Sequence, residues 1–139
     1  MAGAQTGKGG RPERPLSPHL QIYSPQINMV MSILHRLTGA ALYFGTLLVA
    51  WWLTAAATGP EYFRMVQNVL ATWPMKVVLI GYTWAIVHHL LGGVRHLIWD
   101  TGRGLQVHQV NLLSWLNIAG SIGLTATIWL ASIGLRGAL

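Results

Sequence analysis

The sequence predicts an all-α membrane protein built on three transmembrane helices. Its 139 residues are 53% apolar and only 9% charged, where soluble proteins carry about 25% charged residues. Apolar runs of about 20 residues, enough to cross a bilayer core, recur along the chain. Seven tryptophans among so few charges suit belts at the membrane interfaces. The expected organisation is an extended tail over 1–26 and a membrane anchor over 27–139, with spans at about 27–57, 74–99 and 111–135.

Composition excludes several chemistries. The chain has no cysteine, so it offers no disulfide, thiolate nucleophile, iron–sulfur ligand or covalent c-type haem linkage. The net charge is +6, but the basic residues are spread over the tail, loops and helix ends. A nucleic-acid binder would gather them on one soluble face. Membrane lipid, not nucleic acid, is the expected partner of this charge.

Residues 1–26 are polar and rich in glycine and proline, with Lys8, Arg11 and Arg14. They lack the continuous apolar segment of a secretory signal. From Ser17 to Pro25 the prolines argue against a regular helix, so an extended course along the interface or against a partner is expected. The first span has polar opening turns, Asn28, Ser32, His35, Arg36 and Thr38, and then no charge from Leu37 to Ala57. Ser32, Arg36, Gly39 and Tyr43 share one helical stripe. Thr58-Gly59-Pro60-Glu61 breaks the chain. A loop with a short amphipathic helix follows, before Pro74 and Lys76 open the second span. Asp100-Thr101-Gly102-Arg103-Gly104 reads as a turn. In the third span Gly120, Ser121, Gly123 and Thr125 suit close helix contact.

Basic residues in short flanks set orientation. Lys8, Arg11, Arg14 and Arg103 fall on one side, and Arg64, Lys76 and Arg136 on the other. The bias puts the N-terminus in the cytoplasm of a bacterial inner membrane, ahead of the equivalent matrix placement in a mitochondrion. Spans one and two are then antiparallel. His35 and Arg36 come to the same depth as Arg95 and His96, near the cytoplasmic face, with His89 deeper.

The chemistry concentrates in His88-His89-Leu90-Leu91-Gly92-Gly93-Val94-Arg95-His96-Leu97-Ile98-Trp99-Asp100. On a helix His89 and Gly93 share a face, with Gly92 beside them. His96 lies on the same stripe roughly 10 Å further along. A nitrogen ligand beside missing side chains leaves room for a flat group such as haem b, its iron on His89 and its propionates towards the cations. A histidine hydrogen-bonded between helices explains His89 equally well from spacing alone. His88 is rotated about 100° away and is read as structural, through a bond to a neighbouring helix or lipid-facing packing.

Ser32 and Arg36 suggest a second site. A fixed guanidinium beside a quinone carbonyl would stabilise the charge it gains on reduction, and a serine one turn earlier could donate a hydrogen bond. Taken singly, snorkelling of Arg36 and a back-bond from Ser32 are the plainer readings.

Two motifs then resemble a known family. They are Arg14-Pro15-Leu16-Ser17-Pro18-His19-Leu20 leading into Ser32-Ile33-Leu34-His35-Arg36-Leu37-Thr38-Gly39, and the stretch from His89 to Asp100. With three spans, the chain resembles the cytochrome b membrane-anchor subunit of succinate dehydrogenase, respiratory complex II. The resemblance implies half of a heterodimeric haem-binding bundle, completed by a second small anchor subunit. By family position His89 is one axial haem b ligand, the partner supplying the other. His35, Arg36 and His96 approach the propionates, and Ser32 and Arg36 help form the ubiquinone site. An iron–sulfur subunit delivers electrons from a flavoprotein subunit, where succinate is oxidised, so no succinate chemistry is expected on this chain. The alternatives are a fumarate reductase anchor using menaquinone and a cofactor-free structural anchor. An inter-helix metal site of His35, His89 and His96 lacks the accompanying carboxylate.

Overall fold

The computed structural model describes residues 18–137, all of whose regular elements are helical. The tail expected over 1–26 lies outside the described residues as far as residue 17, with Lys8, Arg11 and Arg14, and so do residues 138–139. A single turn, α1 (His19–Ile22), precedes three long helices, α2 (Ile27–Thr58), α4 (Trp73–Asp100) and α5 (Val107–Gly137), with α3 (Pro60–Leu70) between the first two of these.

The prolines expected to forbid a helix before the first span permit this one turn. Pro18 starts α1 by accepting from Gln21 and Ile22 through its carbonyl, at 2.9 and 3.1 Å. Proline at a helix start loses nothing, because its missing N–H would be unpaired there anyway. At 1.5 Å per residue α2 is about 48 Å long, longer than a hydrocarbon core of about 30 Å. Gly59 ends it with φ of 143°, a conformation that side chains disfavour. That residue turns the chain directly into α3, which has Pro60 at its first turn.

Helix α3 is strapped to the far end of α2. Trp51 Nε1 donates to the Tyr62 hydroxyl at 3.0 Å, and Val66 is fully buried. Helix α4 packs against both α2 and α5. Its contact with α2 is close where the Tyr82 ring occupies the space a side chain at Gly45 would need. The turn from α4 to α5 uses Gly102 and Gly104, with φ of 74° and 73°, and Trp99 Nε1 donates to the Gly104 carbonyl at 3.1 Å.

The interior is more polar than the surface. On α5 the buried side chains are Ser114, Asn117, Ser121 and Thr125, while Leu116, Leu124 and Leu130 face outwards. In lipid, apolar surface gains nothing by turning inwards, so small and polar residues make the helix contacts. Gly120 fits this expectation, meeting Leu91 Cδ1 at 3.2 Å from its would-be Cβ, and Ser121 and Thr125 are buried. Gly123 does not, because a side chain there would meet open space. The three long helices each contain a stretch apolar enough to cross a membrane, so the chain is a multi-pass, all-α membrane protein.

Candidate functional site

The antiparallel packing of α2 on α4 brings His35 onto His89. Their rings stack with centroids 4.0 Å apart and planes 17° from parallel. His89 Nδ1 lies 3.1 Å from the His35 carbonyl oxygen and 3.4 Å from Thr38 Oγ1. The carbonyl can only accept, so Nδ1 carries the proton and Nε2 holds the lone pair. Gly39 makes the approach possible, since a Cβ there would sit 3.1 Å from His89 Cε1.

The two glycines after His89 behave differently. Gly92 does not leave a gap, because its missing side chain is replaced by His35, whose Nε2 lies 3.0 Å from the would-be Cβ. Gly93 faces open space. Room for a flat group beside His89 therefore lies on the Gly93 side only. His96 is exposed and meets His35 edge-on, with centroids 5.2 Å apart.

A pocket of about 280 Å³ opens beside this stack, lined by Asn28, Ser32, His35, Arg36, Arg95, His96 and Trp99. Four of the five residues singled out in the sequence thus share one wall, and the fifth, His89, stacks directly behind it. Ser32 and Arg36 are exposed on α2, one turn apart. Among the described residues the lining has two guanidinium groups, two imidazoles and no acidic side chain. Such a pocket favours an anionic ligand, or one that becomes anionic during reaction. His35 and His89 are stacked face to face rather than aimed at a common point, a poor arrangement for a metal ion between them.

Arg95 turns inwards, although its place near a span end looks like that of Arg36. It is 4% exposed, donates to Ser114 Oγ at 3.0 Å and lies 4.8 Å above the Trp99 ring. Ser114 donates in turn to Asn28 Oδ1 at 2.8 Å, and Asn28 Nδ2 donates to Asn111 Oδ1 at 2.9 Å. This chain of bonds ties the start of α2, the end of α4 and the start of α5 together and steadies the pocket wall. His88 is fully buried, against Ser121 Oγ at 3.4 Å and the Trp84 ring at 5.0 Å. Of the two readings of His88, the contact with a neighbouring helix is present, and lipid-facing packing is not, because the side chain is buried.

The contributions of Asn28, Trp99, Ser114 and Asn117 were not anticipated. The signal for the last was available. An asparagine in the middle of an apolar span is costly unless it faces the bundle, and Ser114, Asn117, Ser121 and Thr125 recur at helical spacing.

Comparison with known proteins agrees with this architecture. A family described as succinate dehydrogenase/fumarate reductase transmembrane subunit matches residues 10–128. The chain is 45% identical over 112 residues to the succinate dehydrogenase cytochrome b556 subunit of Paracoccus denitrificans, covering 81% of this chain and 86% of that one. It is 38% identical over 117 residues to the cytochrome b556 subunit of Rickettsia conorii, covering 84% and 91%. It is 36% identical over 119 residues to the mitochondrial succinate dehydrogenase cytochrome b560 subunit of Homo sapiens, covering 81% and 70%. With three apolar helices and a match over most of its length, the chain belongs to the succinate dehydrogenase/fumarate reductase transmembrane subunit family, as a cytochrome b membrane subunit of succinate dehydrogenase.

Proposed function

We propose that this chain binds haem b jointly with a second small anchor subunit and forms part of the site where electrons from an iron–sulfur subunit reduce ubiquinone. The observation that carries the reading is the His89 Nδ1 contact with the His35 carbonyl. With Nδ1 bonded to that carbonyl, Nε2 is the nitrogen left available to a ligand-binding role, and the ring is held in one orientation, as partners of iron-bound histidines do. The cytochrome names of the relatives support the haem, and their naming for succinate dehydrogenase favours ubiquinone reduction over menaquinone-linked fumarate reduction.

The residues present fit the group. His89 would hold the iron through Nε2, and the open space at Gly93 would leave room for a macrocycle beside it. Arg36, His35 and His96 offer donors to propionate carboxylates at the end of the stack nearer the tail. His35 would use Nδ1, because its Nε2 edge is turned towards Gly92. When bound, the haem supplies a one-electron store beside the quinone site.

Arg36 and Ser32 act on the quinone itself. Its two-electron reduction takes up two protons and gives quinol, and negative charge grows on the carbonyl oxygens as electrons arrive. The Arg36 guanidinium stabilises that charge in a low-dielectric site, and the Ser32 hydroxyl donates a hydrogen bond to the same carbonyl. Arg95, fixed by Ser114, adds positive potential from the pocket wall.

The tail over 1–26 lies on the cytoplasmic side of a bacterial inner membrane, where the soluble subunits dock. The apolar outer faces of the helices meet lipid and the partner anchor. The test is an absorption spectrum of the purified complex after dithionite reduction, with its quinone extracted and identified. A b-type spectrum and ubiquinone are expected. A pigment-free complex would favour a purely structural anchor.

A further inference from the structure

The inner face of α5 holds a group that haem ligation and quinone reduction do not use. Asn117 is 4% exposed, and among the described residues neither its amide nitrogen nor its oxygen has a hydrogen-bond partner. On α2, the buried His35 Nε2 is equally without a partner. The two meet over one residue of α4. A Cβ built on Gly92 would lie 3.0 Å from His35 Nε2 and 3.4 Å from Asn117 Nδ2.

Buried polar groups left unpaired are costly, so native structures almost always pair them. Two atoms placed on either side of that bare position can be bridged by one shared water, and a direct bond would need the amide to rotate towards the imidazole. An amide suits the task because it donates and accepts, and so matches either protonation state of the imidazole edge. Gly92 is the condition for the meeting, since any side chain there would displace His35.

We propose that Asn117 is a positioning residue for His35, its amide hydrogen-bonded to His35 Nε2 directly or through one water over the bare face of Gly92. The consequence for the haem rests on the proposed ligation by His89. The His35 carbonyl holds His89 Nδ1 and the His35 ring stacks on His89. The third span, which contributes no ligand, would thereby set the orientation of the ligand on the second.

The test uses the intact complex. Asn117→Leu keeps the volume and removes both polar atoms. Asn117→Gln keeps the amide on a longer stem. In assembled Asn117→Leu complex, haem b is expected to remain bound with a shifted midpoint potential and shifted low-spin electron paramagnetic resonance g values. Asn117→Gln is expected to return both towards wild type. An assembled Asn117→Leu complex with both values unchanged overturns the proposal. If that variant does not assemble, the wild-type complex decides, through a density map that resolves ordered water. The Asn117 amide bonded to His35 Nε2, or to one water shared with it, upholds the proposal, and separate partners for the two groups overturn it. A wild-type complex without any haem would refute the haem reading alone, because the map still tests the bond.

Discussion

His89 and His35 are joined twice, by a 3.1 Å contact from ring nitrogen to backbone carbonyl and by a stack of their rings at 4.0 Å. The backbone contact is the more consequential. A carbonyl on a helix cannot rotate away as a side chain can, so α2 holds the α4 histidine at a fixed angle. The contact uses the His35 backbone, so replacing the His35 side chain should loosen the ring of His89 without releasing it. His35→Ala is expected to retain haem and change its potential, measured by redox titration of the complex.

Gly92→Ala should be among the most damaging small substitutions in the chain. The added methyl meets the His35 ring, which is already confined by His89. Overpacking of this kind costs about 1–3 kcal/mol. The expected result is a lower thermal midpoint for the complex and a reduced haem-to-protein ratio. Gly93→Ala, facing open space, should leave thermal stability near wild type.

Arg36→Ala is expected to lower succinate-to-quinone activity on the order of 100-fold, the scale of losing one fixed donor from a site of developing charge. Succinate oxidation with an artificial acceptor should survive, because the proposed function assigns that chemistry to other subunits. Arg36→Lys should recover part of the activity, since it keeps the charge and loses the planar fork. Equal loss of both activities would point to failed assembly.

His88 and His89 should separate cleanly despite being neighbours. His88→Leu removes a buried bond to Ser121 and a contact with Trp84. It is expected to lower the thermal midpoint while leaving the absorption spectrum in place. Ser114→Ala should behave similarly by withdrawing the hydroxyl that accepts from Arg95. Its cost is about 1 kcal/mol, below the usual range for hydrogen bonds to charged groups because membrane helices find substitute partners.

Much of the arrangement was legible in the sequence, for identifiable reasons. Few charges and long apolar runs can be satisfied only by membrane helices. Antiparallel order then forces residues early in the first span to the depth of residues late in the second, which groups His35 and Arg36 with Arg95 and His96. Periodicity could not say what fills the space beside a glycine. Gly92 and Gly93 look alike in sequence, yet one receives the His35 ring and the other faces outwards. Nor could it separate Arg36 from Arg95, two cations near span ends. Whether such a side chain snorkels or turns inwards depends on a partner across the bundle, in this case Ser114, far away in sequence. Asn117 was visible as a polar residue in an apolar span, but its neighbours across the bundle belong to two other helices.

The most direct measurement is the dithionite-reduced minus oxidised spectrum of the purified complex carrying His89→Ala, with subunit assembly verified on the same sample. If His89 Nε2 is the axial ligand from this chain, the b-type bands of the wild type should be lost or strongly altered in an assembled complex. Bands of unchanged position and intensity would contradict that assignment and, with it, the ligand-holding role of the His35–His89 pair.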